Sequence, residues 1–390
     1  KFKSNVPWGI LTGIRPVKIV HALLDVGKEE EYIKELKNIG LDSTPERVFN
    51  NAIKTIQNID MSKLEYYNEY GGFSEDGLEY VIKLEKGEKL PTVWSMILAN
   101  ETFGTLVTQN LGGYTWHKNS RLNRLSAWNN NPVLDLPSEI IYLKDYETGK
   151  KWSLCNNLND ESPESYITYG FGYVNFKSIQ NNIMQELDIF VPQKDNIKIN
   201  VLKLKNLEPN KRKLKLVYYV KTVLGEDEIK TNSYIEVNKE SNIIIIKNLY
   251  KDSFKNNVCF VSSNEDIKSY TANKDFFFGK GDIKNPESLD KVELDKSNGL
   301  GNNSCVAIEL EIELESYESK EIILQFGEEN TILDAKNTVY KYSKVANCNK
   351  ELNNVKSFWF ELINKVQVNT PLESLNLMIN GWAKYQTIVS

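Results

Sequence analysis

The chain has 390 residues, enough for one large β domain with appendages or for two or three domains. Its 41% hydrophobic and 26% charged residues are ordinary for a globular protein, and a net charge of −5 argues against a nucleic-acid surface, which needs clustered Lys and Arg. Two histidines and four scattered cysteines without a C-x-x-C spacing argue against a zinc site, so no metal is expected.

Residues 1–60 read as a helical appendage. "RPVKIVHALLDVGKEEEYIKELKNIG" spaces Ile19, Leu23, Ile33 and Leu36 at helical intervals, with Gly27 and Gly40 as stops. "STPERVFNNAIKTIQNI" offers Ser43 or Thr44 as a cap, Pro45 in the first turn, and then Val48, Ile53 and Ile56. The start, "KFKSNVPWGI", has no apolar signal core, and no apolar run reaches membrane-spanning length. With its thiols read as unpaired, the protein is expected in the cytoplasm and off the membrane.

Residues 61–335 read as a β domain. In "YNEYGGFSEDGLEYVIKL" the adjacent carboxylates Glu75 and Asp76 sit in a turn before a strand, where neighbours point apart and cannot face each other across a sugar. "GGYTWHKNSRLNRLSAWNNNPVLD", residues 112–135, collects planar rings and forked polar donors, the groups that hold a sugar. Tyr114, Trp116 and Trp128 offer stacking faces; Arg121 and Arg124 reach one side only on a helical turn or a curled loop; His117 is expected at the surface.

Further along, "RKLKLVYYVKTVLG" alternates Leu214, Leu216, Tyr218 and Val220 on one side, and "SYIEVNKESNIIIIKN" predicts a hairpin around Asn238 to Asn242. "TANKDFFFGKGD" reads as a buried strand ending in a turn, and "SCVAIELEIELES" as a strand with one wet face of glutamates and one buried face. Lysines beside glutamates are taken as solvated strand faces. Half-wet strands without intervening helices predict antiparallel sheets stacked as a large sandwich.

Residues 336–390 turn helical. Phe358, Leu362 and Val366 form one predicted stripe, and Leu375, Met378, Ile379 and Trp382 a second after Thr370-Pro371. The last helix meets Ser390 without a capping residue and is expected to continue beyond it. An apolar patch near Trp359, Leu375 and Trp382 is expected to favour self-association, such as a homodimer. No G-x-S-x-G, Walker motif or metal-ligand cluster is present, so no catalytic residue is expected in this chain.

In order, "YGGFSEDGLEYVI", "YTWHKNSRLNRLSAWNNNPV", "SEIIYLKDYETGKKWS", "YGFGYVNF", "QELDIFVP", "YTANKDFFFGKG", "GLGNNSCVAIELEIEL" and the closing helical run resemble the inverting sugar phosphorylases of glycoside hydrolase family 94, formerly glycosyltransferase family 36. That family includes cellobiose and chitobiose phosphorylases and the related part of cyclic β-1,2-glucan synthases. The resemblance spans about residues 66–390. It implies a mainly β fold: an antiparallel, galactose mutarotase-like β super-sandwich followed by linker helices and then an (α/α)6 barrel.

In the family an aspartate of that barrel protonates the glycosidic oxygen while inorganic phosphate attacks the anomeric carbon. "LMINGWAKYQTIVS" resembles the first barrel helix, which implies a truncated barrel and a catalytic acid outside this chain. Arg121 matches a sugar-contacting arginine of the family, and Ser120, Arg124 and Trp128 are carried over as its neighbours in substrate binding. The implied role is a carbohydrate-binding and scaffolding domain for β-linked glucan oligosaccharides, with no cofactor and with phosphate as co-substrate of the complete enzyme. The alternative is a non-covalent part of an active phosphorylase, completed by a separate barrel chain. "PWGILTGIRPVKIVHALLDVG" instead resembles a piece of anaerobic coproporphyrinogen dehydrogenase, but the C-x-x-x-C-x-x-C cluster motif of those radical enzymes is absent.

Overall fold

The computed structural model describes Ala52 and residues 60–131, 133–226, 235–240, 242–248, 254–298 and 303–389. Apart from Ala52, these fall in the unit formed by residues 53–390. The helices expected within 1–60, and the second resemblance at 1–50, lie outside the described residues but for Ala52 and Asp60.

The first strands are β1 (Gly71–Phe73), β2 (Glu79–Leu84), β3 (Ser95–Ala99), β4 (Phe103–Thr108), β5 (Gly113–His117), β6 (Arg124–Ser126) and β7 (Glu139–Asp145). There follow β8 (Lys151–Ser153), β9 (Ser165–Gly170), β10 (Tyr173–Gln180), β11 (Ile183–Phe190), β12 (Ile197–Asn206), β13 (Arg212–Val220) and β14 (Thr222–Gly225). The last are β15 (Ile235–Glu240), β16 (Ile243–Asn248), β17 (Val258–Ser263), β18 (Ser269–Asn273), β19 (Ser304–Leu314) and β20 (Ser319–Glu329).

They build one ten-stranded sheet, in the order β1-β2-β9-β10-β11-β12-β20-β17-β16-β15, and two five-stranded sheets, β18-β19-β13-β7-β8 and β14-β6-β5-β4-β3. The register of the large sheet is set by tight hairpins. Between β10 and β11 both turn residues, Asn181 (φ 51°) and Asn182 (φ 59°), take the left-handed conformation that matches strand twist. The hairpin expected around Asn238 to Asn242 is β15 paired with β16. The expected antiparallel super-sandwich is therefore the observed architecture.

The main core lies between the large sheet and the two small ones. It gathers Ile167, Val174, Leu187, Leu202, Leu204 and Leu324 from the former and Leu125, Leu143, Leu216, Ile308 and Leu310 from the latter. A second core covers the opposite face of the β18-β19-β13-β7-β8 sheet, where Ile140, Tyr142, Val217, Tyr219, Cys305 and Ala307 meet Phe277, Leu289 and Leu294.

This second core corrects two expectations. The strand β19 has no continuous wet face: Ala307 and Glu309 are both 0% exposed, Glu311 is half-buried and Glu313 is open to solvent. Lys215 is equally buried and pairs with Glu309 at 3.1 Å, while Ser269 Oγ donates to the same Glu309 oxygen at 2.6 Å. The three phenylalanines of "DFFF" are not strand residues either. They belong to a short helix, α1 (Lys274–Phe278), because the Asn273 side chain caps it by accepting from Phe276 N. Phe277 stacks on Tyr219 at 4.7 Å and seals the outer face of the sheet.

After β20 the chain forms α2 (Ile332–Lys341), α3 (Val345–Asn364), α4 (Glu373–Leu377), a π turn at Met378–Trp382, and α5 (Ala383–Val389). The long helix α3 packs across β10, β12 and β20. Its buried stripe is Cys348, Val355, Trp359 and Ile363, not the expected Phe358, Leu362 and Val366; Phe358 and Val366 are exposed. Trp359 meets Tyr385 at 4.5 Å and closes over Gly172, which has φ 86°. The Tyr385 hydroxyl donates to Ile97 O at 2.7 Å, and Trp382 Nε1 donates to Gly77 O at 3.0 Å. Both tryptophans expected in an apolar patch, Trp359 and Trp382, are thus buried against the sandwich. Among the exposed apolar side chains here are Phe358, Phe360, Val366, Leu372, Leu375 and Met378.

Candidate functional site

The hairpin of β5 and β6 carries the aromatic and arginine-rich stretch. At its tip Asn119 Oδ1 accepts from Arg121 N (3.0 Å) and Leu122 N (2.7 Å), so a side chain closes the turn where the ladder cannot. At its base His117 N donates to Asn123 O at 3.2 Å.

Under that base lies a carboxylate from the far end of the sequence. Glu328 Oε2, on β20, accepts from Asn123 Nδ2 (2.7 Å) and Asn257 Nδ2 (2.8 Å), and lies 2.7 Å from His117 Nδ1. His117 is 1% and Glu328 3% exposed, which corrects the expected surface histidine. A second buried carboxylate holds the hairpin from behind. Glu139 accepts from Thr115 Oγ1 (2.6 Å) and Ser126 Oγ (2.8 Å), and Lys198 Nζ lies 2.9 Å away. Burial pushes the Glu139 carboxyl up, but the Lys198 charge and the hydroxyl donors outweigh it and hold it below its ordinary value.

The four expected sugar-binding residues separate into two groups. Ser120, Arg124 and Trp128 gather around Tyr114. Arg124 Nε donates to Ser120 O at 3.3 Å, and its guanidinium carbon lies 5.6 Å from the Tyr114 ring and 5.5 Å from the Trp128 ring. Trp128 stacks on Tyr114 at 4.9 Å and stays partly exposed. Burial pushes the Tyr114 phenol up, opposed by Arg124 and by a hydrogen bond with Ser120. Arg121 stands apart. Its Nε lies 3.4 Å from Glu226 Oε1, and both side chains are largely solvated. Such a pair contributes about 0–1 kcal/mol, so the guanidinium is easily recruited by a ligand.

Tyr114 was visible in the sequence as one ring among several, but nothing local marked it as the centre of the group. Glu328 and Asn257 carried no signal, since their partners lie far away in the chain. Chemically the hairpin can stack and donate hydrogen bonds. It presents no facing pair of carboxylates. Among the described residues no group of His, Cys, Asp and Glu could hold a metal. All four cysteines are free and buried, and burial pushes the Cys155 and Cys348 thiols up to about 12, which leaves them inert. Among the described residues no helix is long and apolar enough to cross a membrane.

One ten-stranded antiparallel sheet packed against two five-stranded ones, one of which carries the hairpin of rings and arginines, defines a β super-sandwich. Residues 78–345 match the model of the glycosyl hydrolase 94 supersandwich domain, and the chain belongs to that family. It is similar to the cyclic beta-(1,2)-glucan synthase NdvB of Rhizobium meliloti (strain 1021), at 28% identity over 340 residues, 86% of this chain and 12% of that protein. It is also similar to the N,N'-diacetylchitobiose phosphorylase of Vibrio furnissii, at 27% identity over 332 residues, 81% of this chain and 40% of that protein. The 3-O-beta-D-glucopyranosyl-beta-D-glucuronide phosphorylase of Paenibacillus borealis is 23% identical over 331 residues, 82% of this chain and 41% of that protein. The chain spans less than half the length of each of these relatives.

Proposed function

We propose that this chain is the carbohydrate-binding and scaffolding super-sandwich of a sugar phosphorylase-type enzyme acting on β-linked glucans. Arg121 contacts the sugar, and Ser120, Arg124 and Trp128 hold and extend that surface. Proton donation and phosphate attack are carried out by a helical barrel beyond the residues that build this sandwich, with inorganic phosphate as co-substrate. The observation that carries the reading is the solvated Arg121 guanidinium on a hairpin fixed by two buried carboxylates, Glu328 and Glu139, within a super-sandwich of this family. Rigid support with a free donor is what a binding loop needs. Four buried, unpaired thiols agree with a reducing compartment, the cytoplasm.

The purified chain, incubated with β-linked glucan and phosphate, is expected to release no glucose 1-phosphate and to bind glucan weakly. Arg121→Ala is expected to weaken that binding at least about tenfold. Phosphorolysis by the chain alone would refute the scaffolding role.

A second reading is a subunit completed by a barrel on another chain. The exposed Phe358, Phe360, Leu372, Leu375 and Met378 favour it, because apolar groups concentrated at the helical end suit a helical partner. Recovery of phosphorolysis on adding a separately produced barrel would select it.

A further inference from the structure

The strand β5 runs away from Arg121 for five residues, about 14 Å at strand rise, and a second feature lies at its other end. There a cleft of about 280 Å³ is lined by residues of four stretches, 88–93, 109–110, 133–135 and 156–162. That volume is close to the lower end, about 300 Å³, of small-molecule sites.

Two polar side chains in its lining are more than nine-tenths buried and each has one unused group. Asp135 is 7% and Gln109 3% exposed. Asp135 Oδ2 accepts from Thr108 Oγ1 (2.7 Å) and Asn110 Nδ2 (3.2 Å), while Oδ1 takes no hydrogen bond among the described residues. Gln109 Oε1 accepts from Trp94 N at 2.8 Å, which fixes the carboxamide and leaves its Nε2 donor without a partner there. Neither atom is sealed from solvent.

The acceptor is held in place at a cost. Asp135 has φ 40°, a left-handed backbone that disfavours a side chain, and Asn157 Nδ2 clamps its carbonyl at 2.8 Å. Oδ1 sits so close to Gly112 that a Cβ there would be 2.4 Å from it. Strain of this kind persists where the surroundings over-determine it, commonly at ligand sites.

The lining also specifies the ligand. One free acceptor and one free donor suit a hydroxyl, which both gives and takes a proton. Leu90, Pro91 and Val133 supply an apolar strip for C–H faces. The lining holds one lysine, Lys89, and two acids, Glu88 and Asp135, a balance that disfavours a phosphate and falls short of the ligand count for a divalent cation. We propose that this cleft binds a neutral saccharide unit, one ring hydroxyl donating to Asp135 Oδ1 and another accepting from Gln109 Nε2. It is a site separate from the Arg121 hairpin and does not depend on it.

The test uses the full chain, titrated by calorimetry and by hydrogen–deuterium exchange with cellobiose, with sophorose, and with inorganic phosphate. The expected result is saccharide-induced protection of the 88–93, 109–112 and 133–138 amides. Asp135→Asn and Val133→Arg should weaken it by about tenfold or more, and Arg121→Ala should leave it unchanged. Val133 is 87% exposed on the rim, so that variant folds and decides the matter even if Asp135→Asn does not. No protection with either sugar, protection by phosphate instead, or wild-type binding by Val133→Arg would overturn the proposal. Loss of binding only in Arg121→Ala would assign all sugar affinity to the hairpin.

Discussion

His117 Nδ1 lies 2.7 Å from Glu328 Oε2, and this contact joins the base of the β5–β6 hairpin to a strand 211 residues further along. Both groups are shut off from water, so this tie to the large sheet adds to the β4–β5 ladder and the Glu139 contacts in fixing the hairpin's position. Removing the imidazole leaves Glu328 buried with only its two asparagine donors. His117→Ala is expected to lose about 3 kcal/mol of stability, read as a shift of the urea midpoint, and to expose the 118–122 segment to proteolysis before global unfolding. An unchanged midpoint would show that Asn123 and Asn257 suffice.

Gly172 is expected to be irreplaceable. A Cβ at this position would lie 2.4 Å from Trp359 Cδ1 and 2.6 Å from Val355 Cγ1, on a backbone with φ 86°. Gly172→Ala should cost about 2–4 kcal/mol, combining left-handed strain with overpacking. Faster amide exchange across 345–364 would report that α3 has lifted, and an intact α3 would contradict the packing.

The Asp135 carboxyl is pushed up by burial, against the hydrogen bonds from Thr108 and Asn110. A raised folded value means that ionisation disfavours the folded state. This penalty is absent below the ordinary value of 3.8 and develops as pH rises through the folded value. Asp135→Asn should therefore be more stable than the parent at pH 7, with the gain vanishing in acid. Denaturation midpoints at the two ends of that range check the sign, and a gain confined to acid would reverse it.

Phe358 (41% exposed), Phe360 (51%) and Leu372 (59%) leave apolar surface on the helical segment. The chain is expected to self-associate with rising concentration in sedimentation velocity. Phe360→Ser with Leu372→Ser should abolish this while moving stability by no more than about 0.5 kcal/mol each, as for exposed positions. A monomeric parent would remove the argument.

The fold class was legible because turn residues and alternating strands are local signals. Hairpins such as β15–β16 follow from a dozen residues read alone. What failed was the count of wet faces. Glu309 and Glu311 look alike along β19, yet Glu309 is sealed beneath the 274–294 segment beside Lys215 and Glu311 is not. Only tertiary cover distinguishes them. In α3 the helix was expected correctly but its phase was not, because Phe358, Trp359 and Phe360 are adjacent and periodicity cannot choose which one turns inward. The rings and arginines of the hairpin were readable from composition. Its anchors were not, since Glu328 is an ordinary strand glutamate until the sheets close. The cleft at Asp135 was equally hidden, being built from four stretches whose only shared property is where they meet.

The position of β20 between β12 and β17 fixes when the large sheet can be completed. β12 exposes an open edge, and the β15–β17 meander has nowhere to dock, until residue 329 has emerged during synthesis. Between the emergence of Asn206 and that of Glu329 the nascent chain therefore displays unpaired strand borders that carry Ile and Val, the kind that invite mispairing. Its yield in a cell should depend on holdase chaperones during elongation, more than the finished domain's stability alone would suggest.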